Sequence, residues 1–349
     1  MAKVLGNAFR RSRLLFVTAS PSGPRLTISP PSPFYGGGRS FETLAFEEIK
    51  TSEKPYDSTA FVLHGLLGSG RNWRSFSRDL AAQLQKSSPS RDMFSSEKQV
   101  LFWRMVLVDI RNHGRSAGLK ELDLPHNMFN GAKDMANLVK FHGWAWPDVV
   151  LGHSMGGKVA LQFAASCAHG DYGESAIMPK QLWVLDSVPG EVNSNETSGE
   201  VEKVLQTLQD LPSPLPSRKW VIDHMLSLGF SKMLSNWIGS NLNNDGEHVE
   251  WAFDLQACID MFNSYREESY WSLLESPPNE LEIAIVRAEN SDRWPEHVVN
   301  RLNHLSQKRR VPKEGKVSFH LLPKSGHWVH VDNPKGLLEI VAPNFYSNA

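Results

Sequence analysis

The run Gly152-His153-Ser154-Met155-Gly156 constrains this chain more than any other stretch of it. It lies directly after the apolar triplet Val149-Val150-Leu151 and directly before a helical pattern over 158–168, so a strand must turn sharply into a helix at Ser154. A turn of this kind needs small residues at its flanks, because neighbouring backbone comes close and the serine's own backbone is strained. A chain built around it calls for a sheet whose strands end along one edge, with helices on both faces.

The rest of the chain keeps that pattern from residue 42 onward. Short apolar runs at 60–63, 105–108, 149–151, 182–185, 283–286 and 317–322 are expected buried strands. Between them Trp73, Phe76, Leu80 and Leu84, and again Met128, Ala132, Met135 and Val139, recur at three- and four-residue spacing and predict helices. Residues 41–49 are expected to supply antiparallel edge strands. The alternation implies an α/β fold with a mostly parallel sheet covered on both faces. Two stretches break the rhythm. Residues 87–99 are polar and Ser-rich and read as a surface insertion. Residues 190–279 carry helical patterns broken at Pro212, Pro214 and Pro216, with no convincing strand, and predict a helical cap inserted into the 42–349 domain.

A serine hydroxyl becomes a nucleophile only when a base takes its proton. Of the 13 histidines, His327 is best placed, in Lys324-Ser325-Gly326-His327-Trp328 after the last expected strand. The base needs a carboxylate that fixes its tautomer. The chain order Ser, acid, His leaves Asp186, at the end of the strand after the serine's, and Asp292, in the loop after the next strand, with Asp254 of the cap as a further option. Asp109 precedes the serine and is expected to brace the loop Arg111-Asn112-His113-Gly114, and His64 is expected to be structural. Backbone N–H groups of Leu66, in His64-Gly65-Leu66-Leu67-Gly68, and of Met155 are placed to receive an oxyanion. Trp220, Trp237, Trp251, Trp271, Met225, Met233 and Met261 are candidates for an apolar lining that favours an uncharged acyl group. His330, Asp332 and Asn333 are expected capping or supporting residues.

Charge is distributed unevenly. The first 41 residues hold six basic side chains and no acid, which leaves 31 basic against 38 acidic residues in the remainder. An Arg- and Ser-rich, acid-free segment with a short amphipathic stretch has the composition of an organelle transit peptide; the early arginines favour the mitochondrion over the plastid. The mature chain would then be acidic, and the near-neutral balance of the whole, 37 basic against 38 acidic residues, argues against nucleic acid as a partner. No run approaches the roughly 18 apolar residues of a membrane span. Cys167 and Cys258 form no C-x-x-C, so neither a disulfide framework nor a cysteine metal site is expected, and no cofactor is implied.

Taken together, His64-Gly65, Asp109-Ile110-Arg111-Asn112-His113-Gly114-Arg115-Ser116, the GHSMGGK stretch from Gly152 to Lys158 and Gly326-His327-Trp328 resemble the α/β-hydrolase superfamily. More narrowly, the chain looks like the serine esterases related to abhydrolase domain-containing protein 11. In that branch the loop after the penultimate strand resembles Gly-Gly-Asn-Ser and lacks the usual acid. Here Ala288-Glu289-Asn290-Ser291 keeps the Asn-Ser but is followed by Asp292, so the resemblance favours Asp186 and leaves Asp292 open. It implies hydrolysis of a small carboxylic ester or thioester through an acyl-enzyme. Acyl transfer, triad-based lyase chemistry and a non-catalytic small-molecule receptor remain as alternatives on the same fold.

Overall fold

The computed structural model describes residues 43–53, 55–87, 102–193, 199–244, 249–308 and 312–345. The expected leader at 1–41 and nearly all of the 87–99 insertion lie outside the described residues. In chain order come β1 (Phe46–Lys50), β2 (Ser58–Leu63), α1 (Arg74–Ser87), β3 (Trp103–Val108), α2 (Met128–His142), β4 (Val149–His153), α3 (Met155–His169) and β5 (Gln181–Leu185). There follow α4 (Glu200–Gln209), α5 (Arg218–Ser227), α6 (Lys232–Ser240), β6 (Leu242–Asn244), β7 (Val249–Trp251), α7 (Leu255–Glu267) and α8 (Trp271–Glu275). The chain closes with β8 (Glu282–Ala288), α9 (Glu296–Ser306), β9 (Lys316–Leu322), α10 (Val329–Asp332) and α11 (Pro334–Val341).

Seven strands form one sheet in the order β1-β3-β2-β4-β5-β8-β9. Every pairing is parallel except β1 with β3, so residues 41–49 supply a single antiparallel edge strand among the described residues, where more than one was expected. The central strands β2, β3, β4 and β5 are buried along their whole length, which is why they read as continuous apolar runs. Their side chains still alternate. Phe61, Leu63, Val106, Val150, Val184 and Ile285 face the core shared with α2, α3 and α9. Ala60, Val62, Met105, Leu107, Leu151, Trp183 and Val286 face the core under α1 and α11. The helix ends follow local chemistry: the Asn127 side chain accepts from Asn130 N at the start of α2, and Gly143, at φ 60°, ends it.

Between β5 and β8 lie α4 to α8 together with a short antiparallel hairpin, β6 with β7. The hairpin corrects the expectation of an all-helical segment. At three residues each, its strands are too short for a period-two pattern to stand out from the helical one.

Candidate active site

The sharp turn at Ser154 is present as expected. Ser154 sits between β4 and α3 at φ 52° and ψ −120°, a conformation that only a tightly packed surround sustains in a non-glycine residue. Its N–H donates to Leu185 O at 2.9 Å. The flanking glycines are required by space. A Cβ at Gly152 would lie 2.1 Å from Gly156 O, and one at Gly156 would lie 2.6 Å from His64 O. At Gly65 a Cβ would come within 3.2 Å of the Ser154 Cβ, so the loop after β2 presses directly on the serine.

Ser154 opens into a cavity of about 330 Å³ at the C-terminal edge of the sheet. One side is built from loops that follow the strands: Gly65 to Gly68 after β2, Ser154 and Met155 after β4, Asn290 to Arg293 after β8, and Gly326 to Trp328 after β9. The other side belongs to the 190–279 insertion, through Val201 and Val204 of α4, Met233, Leu234 and Trp237 of α6, and Phe262 and Tyr265 of α7.

His327 lies in that cavity, and the carboxylate bonded to it is Asp186. The ring Nδ1–H donates to Asp186 Oδ2 at 2.7 Å, which leaves Nε2 as the proton acceptor. The Asp186 side chain is 0 % exposed and that of His327 19 %, so the ring reaches the cavity while its carboxylate does not. Ala288 N and Trp294 Nε1 donate to Asp186 Oδ1 at 3.0 and 2.7 Å. Burial works to raise the Asp186 carboxyl, but the His327 ring and these two donors outweigh it and hold the group below the ordinary carboxylate range. For His327, burial and then the charge of Arg293 lower the imidazole from its usual value, against the opposite pull of Asp186 and Asp292. The ring is therefore neutral at physiological pH. Asp292 lines the cavity from an exposed position, and Asp254 is occupied elsewhere, capping α7 by accepting from Ala257 N at 3.0 Å.

The two amides expected to form an oxyanion site both border the cavity. Met155 is the first residue of α3, so its N–H has no carbonyl partner within the helix. Leu66 lies in the turn closed by Gly68 N donating to Gly65 O at 3.0 Å.

Several residues turn out to support the site. The His64 Nδ1–H donates to Gly65 O at 2.8 Å, while Nε2 accepts from Ile110 N at 2.9 Å, so this buried ring ties two loops together. Asp109 accepts from Gly70 N at 2.7 Å and from Arg115 N at 3.1 Å, bracing the Arg111 to Gly114 loop. Arg111 is buried against Asp134, with Nε to Oδ2 at 2.6 Å and Nη2 to Oδ1 at 2.9 Å. The Asn112 carbonyl receives Asp254 N at 2.9 Å and so docks the insertion onto the core. Asp332 accepts from Gly326 N, and Asn333 caps α11 by accepting from Gly336 N, each at 2.9 Å.

Two supporting contacts have no signature in the sequence. His153 Nε2–H donates to His327 O at 2.7 Å, so the residue before the serine holds the backbone of the histidine loop. Lys158, fully buried, donates to the carbonyls of Gly190, Tyr265 and Glu268, which pins α3 to the base of the insertion. Burial pushes its ammonium down to about 7, with Glu268 and Glu191 pulling the other way.

The expected apolar lining is largely corrected. Only Trp237 and Met233 of the seven side chains border the cavity. Met225 and Met261 are buried in the core, Trp220 stacks on His224, Trp251 stacks on Phe253, and Trp271 lies under Arg301. Trp73, Phe262, Tyr265 and Trp328 line the cavity instead, and helix-period counting could not bring them together because they come from three separate places in the chain: the turn before α1, α7, and the loop after β9. Among the described residues, no group of three or more His, Cys, Asp and Glu side chains is arranged to hold a metal ion, and no helix is long and apolar enough to cross a membrane.

The family model for the alpha/beta hydrolase family matches residues 60–340. The sn-1-specific diacylglycerol lipase ABHD11 of Mus musculus is 22 % identical over 80 % of this chain and 78 % of its own. A probable alcohol acetyltransferase of Saccharomyces cerevisiae is 23 % identical over 73 % of this chain and 64 % of its own. Among solved structures, a marine microorganism esterase covers 85 % of this chain and 97 % of its own at a TM-score of 0.62 and 20 % identity. The thioesterase domain from the curacin biosynthetic pathway covers 86 % and 95 % at a TM-score of 0.53 and 17 % identity.

Proposed function

Because the chain belongs to the alpha/beta hydrolase family, we propose that it is a serine hydrolase of small carboxylic esters, with Ser154 as nucleophile, His327 as base and Asp186 as the orienting acid. The observation that carries this reading is the bond from His327 Nδ1 to the buried Asp186 carboxylate, made beside a serine held at φ 52° in the same cavity. A neutral His327 takes the Ser154 proton through Nε2 as Oγ attacks the ester carbonyl, and Asp186 stabilises the imidazolium that forms. The amides of Leu66 and Met155 receive the developing oxyanion. The imidazolium then protonates the departing alcohol, leaving an acyl-enzyme. Water, activated by the same ring, releases the acid and restores the serine.

Turnover of an ester and thioester panel, acylglycerols included, by the native protein and by Ser154→Ala tests this reading. Unchanged turnover in the variant overturns it. A second reading, transfer of the acyl group to an alcohol, draws support from the acetyltransferase relative. Adding ethanol to the reaction separates the two, because a transferase forms the ethyl ester in preference to the free acid. We also place the protein in an organelle, the mitochondrion ahead of the plastid, on the composition of residues 1–41. Imaging a fluorescent fusion with and without those residues tests that placement.

A further inference from the structure

The cavity carries one charged group that the proposed reaction leaves unused. Arg293, in the loop after β8, lines the cavity at its junction with a narrower recess beside the start of α4, bounded by Val188, Phe262 and Tyr265. Its Nε is buried without a hydrogen-bond partner, and among the described residues no carboxylate forms an ion pair with its guanidinium. The acids that share the lining do not serve it. Asp332 is bonded to Gly326 N at 2.9 Å, while Glu200 and Asp292 sit at exposed positions. Arg104, Arg111 and Arg266 are paired with Glu48, Asp134 and Glu202, and Arg287, whose Nε is also buried without a partner, does not line the cavity, so among the described arginines Arg293 alone brings an unpaired guanidinium to it.

A guanidinium with a desolvated, unpaired Nε costs the fold free energy, and its fork matches a carboxylate in two parallel hydrogen bonds. We propose that Arg293 anchors a carboxylate on the substrate, so that the preferred ester is a hemiester of a short dicarboxylic acid instead of the uncharged ester that the apolar lining alone would select. This rests on the ester-hydrolase reading for the seat of the scissile bond. It also gives the positive charge a use. Free Arg293 disfavours protonation of His327, whereas a bound carboxylate cancels that field and makes the imidazolium easier to form once the ester is in place. The cavity, about 330 Å³, has room for a short acyl chain.

The test compares 4-nitrophenyl hemiglutarate with 4-nitrophenyl valerate, which match in length and differ in charge. For the native protein the ratio of kcat/KM should favour the hemiglutarate. Arg293→Leu should lower that ratio at least about tenfold, and Arg293→Lys should recover part of it. A ratio that is the same in the native protein and in Arg293→Leu overturns the proposal. Calorimetric binding of monomethyl glutarate to Ser154→Ala, with and without Arg293→Leu, reads the anchor without turnover. Loss of affinity with the arginine supports the proposal, and equal affinity overturns it. Ester turnover that persists in Ser154→Ala strikes the hydrolase reading instead and leaves the binding comparison to decide on Arg293.

Discussion

His153, the residue before the proposed nucleophile, donates from Nε2 to the backbone carbonyl of His327 at 2.7 Å. The two rings also pack against each other, with centroids 4.7 Å apart. The middle position of Gly-His-Ser-Met-Gly is therefore a strut between the strand that carries the serine and the loop that carries the base. Burial, and then the charges of His327 and His330, hold His153 well below the ordinary histidine range, so it stays neutral and keeps its donor across working pH.

Replacing His153 with leucine leaves the His327 carbonyl without its donor and frees the loop to drift. A misplacement of about 1 Å costs up to 10²-fold in rate, so kcat should fall roughly ten- to a hundredfold with little change in KM. His153→Gln, which keeps a donor, should recover part of the loss. Steady-state kinetics on both variants check this, and an unchanged kcat in His153→Leu would remove the strut from the account.

The choice of acid is tested by comparing Asp186→Asn with Asp292→Asn. Losing the carboxylate that fixes the tautomer should lower kcat on the order of 10⁴-fold in Asp186→Asn. Asp292→Asn removes only an exposed charge and should change kcat by a small factor. The reverse pattern would reassign the acid.

How far the sequence reaches is clear at these positions. Ser154, His327 and the six core strands are legible because a strained turn demands glycines and a parallel sheet demands continuous apolar runs. Both signals are local. Asp186 and Asp292 could not be separated in that way, since the choice depends on which loop comes within hydrogen-bond reach of His327, a property of strand order. The same limit hides Trp294, which bonds Asp186 across 108 residues of sequence, and Arg293, whose use depends on what does not pair with it. The candidate tryptophans at 220, 251 and 271 stand outside the cavity for the complementary reason: large apolar side chains fill the insertion's own packing before they line a ligand site.

The pH dependence follows from His327. A base must be neutral to act, and burial together with Arg293 lowers its imidazole from the ordinary value near 6.5. Activity should therefore rise with pH through a midpoint below that value and be flat at neutrality. Arg293→Leu removes a positive charge and should move the acid limb to higher pH. A kcat/KM profile for each protein reads both midpoints, and an acid limb above 6.5 in the native protein would contradict the assignment.

Lys158 gives a stability prediction. Lys158→Met keeps the volume of the side chain but strands the carbonyls of Gly190, Tyr265 and Glu268. Leaving them unpaired should cost about 3 kcal/mol and lower Tm by roughly 6–12 °C. Thermal unfolding measures this, and an unshifted Tm would show that the pin does not hold the insertion.

The most direct test of the central claim is fluorophosphonate labelling of the protein from residue 42 onward, followed by peptide mapping. The expected result is a single adduct on Ser154 that forms as esterase activity disappears and is absent from Ser154→Ala. An adduct on another serine, or full activity in Ser154→Ala, would contradict it.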